Sequence, residues 1–250
     1  MGMNNPLEAA AMPVKKDLRL FYAVDTSGSM YGEKINSVNV AIRESIPELQ
    51  KISSGPDADI KVAALKFADS AEWLCAPTDV ENFNLSNMIA DGWTAFGDAL
   101  VELNKKLSRE EYLKTDRALA CPVILLISDG EPTQTNPPWE DSLRELEKNK
   151  YFKAAIKIAL AVGKDANIDI LAKFTKNKEA VFMIHNNYDL KKLIKIVSFT
   201  SMMYGSKSSN TAASGADVND TANKTIVDAA AAAANDAGIN VHDYGGDDNF

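Results

Sequence analysis

The residues at 122–127, Pro-Val-Ile-Leu-Leu-Ile, are apolar at every position and stop at the polar turn Ser128-Asp129-Gly130. A run this short and uniform reads as a strand covered on both faces, the pattern of the interior of a parallel sheet. Residues 18–24 form a second, nearly continuous apolar run, and it too ends on polar residues, Asp25-Thr26-Ser27-Gly28-Ser29.

Between and after these runs the apolar period changes. Ile35, Val38, Ala41, Ile42, Ile46 and Leu49 recur at helical spacing, predicting a helix from residue 34 to about residue 52. Pro47 falls inside that pattern and is expected to kink it or end its first part. A Ser-Ser-Gly-Pro-Asp turn at 53–57 leads to a second strand over 60–67, with a short edge strand at 71–74 returning beside it as a hairpin. Helices are then predicted at 97–108, 139–150, 168–174 and 188–203. Strands are predicted within 152–162 and at 180–184, with Lys153 and Lys157 at the edges of the former.

Strands alternating with helices, the inner strands uniformly apolar, predict an α/β fold. It is a three-layer, doubly wound, mostly parallel sheet with helices on both faces and one short antiparallel edge strand. One domain, residues 17–204, accounts for the pattern, with residues 1–16 read as a flexible leader. From 205 to 250 the composition turns to Ser, Asn, Ala, Gly and Asp and reads as a mostly disordered acidic tail. The alanine run at 229–234 favours a helix too short to be stable unaided. The end, Asp247-Asp248-Asn249-Phe250, has the form of a short acidic motif with a terminal aromatic.

A net charge of -8 argues against a general nucleic-acid or anionic-membrane binder. No stretch approaches the ~20 apolar residues of a membrane span, and the start lacks the features of a signal peptide. Two cysteines, Cys75 and Cys121, match no zinc spacing and fit a reducing compartment. The expected location is cytoplasmic.

In an open α/β sheet, ligands bind outside the carboxyl ends of the strands. Asp25, Ser27 and Ser29 follow the first strand at that edge, and Asp129 follows the 122–127 strand. Thr94, in Gly92-Trp93-Thr94 just before a helix, has a hydroxyl placed to reach the same point. Two carboxylates and three hydroxyls make an oxygen-only site suited to Mg²⁺, Mn²⁺ or Ca²⁺. Trp93, Phe96, Glu131 and Trp139 are expected on its rim, where a partner would touch them.

Asp25-x-Ser27-x-Ser29, Thr94 in its loop and Asp129-Gly130 together resemble the metal-ion-dependent adhesion site of a von Willebrand factor A (VWA) domain, over about residues 17–203. The stretches 94–100 (Thr-Ala-Phe-Gly-Asp-Ala-Leu), 128–133 (Ser-Asp-Gly-Glu-Pro-Thr) and 159–163 (Ala-Leu-Ala-Val-Gly) are similar to the bacterial tellurium-resistance, TerY-like branch. Gln134 stands where relatives often carry an acid, and the cysteine-rich tail of some relatives is absent. The resemblance implies direct ligation by Ser27, Ser29 and Thr94, with Asp25 and Asp129 behind them holding waters or the hydroxyls. It also implies a protein partner that completes the coordination with an Asp or Glu carboxylate. A stress-response setting with a kinase or phosphatase partner follows from the same likeness.

Two other readings stay open. One is metal-assisted phosphoryl transfer or hydrolysis, which needs a general base that the sequence does not obviously supply. The other is the adhesion-type subunit of an ATP-driven chelatase complex. The chain has no Gly-x-Ser-x-Gly elbow and no P-loop lysine pattern, and its only histidines are His185 and His242. A non-enzymatic module is the expectation.

Overall fold

A computed structural model of the chain describes residues 15–207 and 216–242. The sheet contains β1 (Lys16–Asp25), β2 (Ala58–Phe67), β3 (Ala71–Asp79), β4 (Val123–Ser128), β5 (Ile156–Val162) and β6 (Val181–Ile184). Their spatial order is β3-β2-β1-β4-β5-β6. All neighbours run parallel except the β2–β3 hairpin at the edge. Order reverses between β1 and β4, so the crevice above their carboxyl ends is the point where doubly wound sheets bind ligands.

The strand period of two divides β1 between two cores. Leu18, Leu20, Tyr22 and Val24 face one layer, and Phe21 and Ala23 face the other. The first layer is built on α1 (Glu33–Ser53) and α6 (Asn187–Lys207), which pack against each other. The second contains α2 (Phe96–Lys106), α3 (Trp139–Leu146), α4 (Lys150–Ala154) and α5 (Ile168–Thr175).

Several expectations are corrected. Helix α1 continues through Pro47 to Ser53. The hydrogen bond that Pro47 cannot make would go to Arg43, and both residues lie on the exposed side, where water can take that carbonyl. Buried Ile46 and Leu49 hold the helix on either side of the proline. Strand β3 extends to Asp79, well past residue 74.

The 139–150 helix stops at Leu146, and residues 150–154, partly assigned to a strand, form α4. The Asn149 side chain caps α4 by accepting the N–H groups of Tyr151 and Phe152 at 2.9 and 3.4 Å. Lys157 is a buried residue inside β5, its ammonium donating to the carbonyls of Phe152 and Ala155 at 3.0 and 2.9 Å.

The largest correction concerns the tail. Ala216–Asp236 is a 21-residue helix, α7, packed on α6, α4 and β5. Ile226, Val227, Ala230 and Ala234 are buried in the first core, followed by Ile239 and Val241. The N–H of Met183 on β6 donates to the carbonyl of Val241 at 2.8 Å, so the returning chain occupies the open edge of the sheet. The leader also shortens, because Lys16 opens β1 and the Lys15 ammonium reaches the carbonyl of Ser53 at 2.9 Å. The expectations for residues 1–14 and for the 247–250 motif lie outside the described residues.

Candidate metal centre

Asp25, the last residue of β1, is fully buried. One carboxylate oxygen accepts the N–H of Ser27 at 2.9 Å, and the other accepts the hydroxyl of Ser128 at 2.7 Å. Burial pushes its carboxyl up to about 6, against the hydrogen bonds from Ser128 and Ser27, and the charge of Asp129 adds to the rise. Ser128 was not singled out in the sequence. Its hydroxyl also accepts the N–H of Gly130 at 2.8 Å, so one side chain joins the ends of β1 and β4.

Beyond Asp25 the chain makes a single 3-10 turn, Gly28–Met30, which brings the hydroxyls of Ser27 and Ser29 to 3.1 Å from each other. The loop before α2 is stapled to this turn. Asp91 N–H donates to Thr26 C=O at 2.9 Å, and Gly28 N–H donates to Gly92 C=O at 3.0 Å. Gly92 has φ +80, and a Cβ there would lie 2.5 Å from the Asp69 carboxylate, which accepts the N–H of Trp93 at 2.8 Å. The positive φ favours glycine, and any side chain here would have to displace the Asp69 carboxylate from the Trp93 N–H.

Thr94 follows, buried, its N–H donating to the Thr133 hydroxyl at 2.7 Å. Its carbonyl accepts the N–H groups of Thr133 and Gln134, both at 3.3 Å. Thr133 is thus a second contributor that the sequence did not mark. Ser128 acts on the Asp25 carboxylate and the Gly130 N–H, and Thr133 on the Thr94 N–H, and such contacts leave no spacing signature.

Asp129 is half-buried at the end of β4, its carbonyl accepting the N–H of Asn167 at 2.7 Å. Gly130, at φ +74, lets the chain turn beneath Asn167 and Leu171, either of which a Cβ would meet at 2.9 Å. A cleft of about 520 Å³ opens here, lined by Ser29, Thr94 and Asp129, with Lys34, Thr133 and Lys164 among its other walls. The five predicted ligand residues therefore gather at one point, Asp25 and Ser27 beneath and Ser29, Thr94 and Asp129 facing the cleft.

The donor set fits a hard divalent ion. It offers hydroxyl and carboxylate oxygens and no sulfur or imidazole, and its buried carboxylate has a second carboxylate near it and no cationic partner among its contacts. Among the described residues no group of three or more His, Cys, Asp and Glu side chains converges as a metal cluster. An ion here would depend on the three hydroxyls.

The rim residues separate. Trp93 is 64% exposed and Glu131 is exposed, with its carboxylate accepting the Asn167 amide at 3.0 Å. Phe96 is a correction. It is 3% exposed and packs in the core against Phe67 and Phe174, with ring centroids 5.9 and 6.4 Å away, so it offers a partner nothing. The helical turn that begins at Phe96 points it inward. Trp139 is also displaced, half-buried on Phe96 and lining a separate cleft beside α3 and α5, with the Lys173 ammonium 5.2 Å from its ring.

Residues 20–196 match the von Willebrand factor type A domain family. The chain belongs to that family. Over 131 residues this VWA protein is 31% identical to inter-alpha-trypsin inhibitor heavy chain H4 of Bos taurus, a match covering 47% of this chain and 13% of that one.

Solved structures with the same fold include a von Willebrand factor type A protein from Catenulispora acidiphila, with TM-score 0.56 and 16% identity over 75% of this chain and 43% of that one. The pilus adhesin SpaC from Lactobacillus rhamnosus GG gives TM-score 0.59 and 11% identity over 76% and 30%. A mussel byssus thread matrix protein, described with a zinc-occupied MIDAS motif, gives 0.53 and 19% over 76% and 47%. The chain thus spans under half the length of each of these relatives. Among the described residues no helix of this VWA protein is long and apolar enough to cross a membrane.

Proposed function

We propose that the chain is a metal-dependent protein-binding module. Ser27, Ser29 and Thr94 would hold a divalent ion, Mg²⁺ first with Mn²⁺ or Ca²⁺ as alternatives, while Asp25 and Asp129 hold waters and hydroxyls behind them. When bound, the ion supplies an electron-poor position that a partner's Asp or Glu carboxylate completes. The observation that carries this reading is the convergence of three loops, from β1, β4 and the start of α2, on one oxygen-lined cleft at the switch point of the sheet.

Histidine base catalysis finds no support in where the two imidazoles lie. Neither histidine lines the cleft, and His242 sits against Phe182, with its ring nitrogen 2.9 Å from the carbonyl of Glu179. A cytoplasmic bacterial setting of the tellurium-resistance or stress type, with a kinase or phosphatase among the partners, rests on the likeness of residues 94–100, 128–133 and 159–163 to that branch.

A Mn²⁺ titration followed by electron paramagnetic resonance tests the assignment. The expected result is saturable binding of one ion per chain, lost in Ser29→Ala and Thr94→Ala. Absence of saturable binding, or equal binding in both variants, would contradict it.

A further inference from the structure

At the edge of the sheet where β5 begins, opposite the one that carries the metal centre, a second cleft of about 410 Å³ opens. The ends of α3 and α5, helix α4, strand β5 and helix α7 all contribute walls. Those walls carry Lys153, Lys157, Lys176 and Lys224 against one acid among the described residues, Glu147. That is an excess of three positive charges, gathered in a chain whose net charge is -8.

Two carbonyls that would repel an anion here are already covered. Lys157, 8% exposed, donates to those of Phe152 and Ala155, and the Asn223 amide donates to the latter as well at 3.2 Å. Asn177 accepts the Glu179 N–H through its side-chain oxygen at 3.0 Å, leaving its amide N–H groups as donors at the cleft. Lys153 has no ion pair among the described residues. Lys224 pairs with Glu179 and Asp228 at 3.3 and 3.5 Å, and Lys176 with Glu147 at 3.3 Å. Pairs as exposed as these are worth little, so a more highly charged anion can displace them.

Lys176 carries a further mark. At φ +60 it is the one non-glycine residue with a positive φ among the described residues. A helix that ends in this conformation ordinarily does so on glycine or asparagine. The Thr175 hydroxyl holds the turn, donating to Asn177 C=O at 2.7 Å. A lysine kept where glycine would relax the backbone points to a use for its side chain, and the exposed pair with Glu147 is too weak to be that use.

We propose that this cleft binds a small molecule bearing a diphosphate. Lysine ammoniums hold phosphate as point charges. A phosphate group carries about -1.5 to -2 charges at neutral pH and several acceptor oxygens. Two linked groups therefore come close to the excess of three and meet the amide donors within a cleft of ligand size. Carboxylates would need three separate groups to do the same. The site lies apart from the metal centre, and its test is independent of the metal-dependent reading.

The test is isothermal titration calorimetry on the full chain in EDTA, with pyrophosphate, ADP and citrate as probes. Pyrophosphate and ADP should bind saturably at one per chain, and citrate more weakly than either. Tighter binding of ADP assigns a nucleoside diphosphate, whereas pyrophosphate as tight or tighter assigns the diphosphate group alone. The double variant Lys153→Ala/Lys176→Gly should bind both at least about tenfold more weakly. It should unfold at no lower temperature than the wild type, since glycine suits φ +60 and alanine suits a helix.

No saturable binding, equal binding by the double variant, or citrate as tight as pyrophosphate would overturn the site. Binding that appears only when Mg²⁺ replaces EDTA would put the anion on the metal centre and overturn it as well.

Discussion

At the carboxyl edge of the sheet, Asp25 is buried beside Asp129 with no cation in contact, while Tyr31, Ile89 and Trp93 stand in water. Where α7 packs on α6 and β5 the arrangement is reversed. Helix α7 buries Ile226, Val227, Ala230 and Ala234, and leaves Lys224 and Asp228 in solvent, paired at 3.5 Å. One region opposes folding by burying charge and exposing apolar surface. The other favours it by both criteria. Since folded proteins are stable by only about 5–15 kcal/mol, a region that works against folding invites a functional explanation, and a bound cation would remove the first of its two costs.

The contrast can be broken most forcefully in the stabilising region. Val227→Asp places an unpaired carboxylate between α7 and the core and should cost about 4 kcal/mol in urea unfolding. A loss under about 1 kcal/mol would mean that α7 is not part of the cooperative fold.

The next effect lies in Asp25. Its unfolded carboxyl ionises near 3.8 and its folded one at about 6. Between those values the folded chain holds a proton that the unfolded chain has released, so metal-free stability falls as pH rises. The contribution is complete below 3.8 and lost as pH passes about 6. At roughly 1.4 kcal/mol per unit, the loss is on the order of 3 kcal/mol. Asp25→Asn in EDTA should flatten this part of the pH–stability curve, and an unchanged slope would contradict the assignment.

Thr94→Ala should change metal-free stability by only about 1 kcal/mol, since its N–H and carbonyl contacts with Thr133 and Gln134 survive the substitution. Smallest of all, Tyr31→Ala and Trp93→Ala should stay within about 0.5 kcal/mol of wild type, because side chains so exposed hold little together. A larger loss would return them to the scaffold.

The two regions also differed in how far the sequence disclosed them. Uniform apolar runs ending in Asp25-x-Ser27-x-Ser29 and Ser128-Asp129-Gly130 mark both strand and site, because fold and chemistry meet at the strand end. Helix α7 reads only as a brief, marginal helix at 229–234, because its alanine-rich face has little hydrophobic signal of its own. Its stability comes from close packing on α6, which is a tertiary fact. Ser128 and Thr133 were missed for a related reason, since they act on carboxylate and backbone partners distant in sequence. Phe96 was misplaced because its position next to the loop suggested a rim, whereas the register of α2 turns it inward.

The central claim is most directly tested by thermal unfolding of the full chain in EDTA, Mg²⁺, Mn²⁺ and Ca²⁺, for wild type beside Asp25→Ala and Thr94→Ala. An ion that binds only the folded chain should add ~2.7 kcal/mol at a hundredfold excess over its Kd. The account predicts that gain in the wild type and its loss in both variants. A wild type indifferent to every ion, or an equal gain in all three proteins, would contradict it.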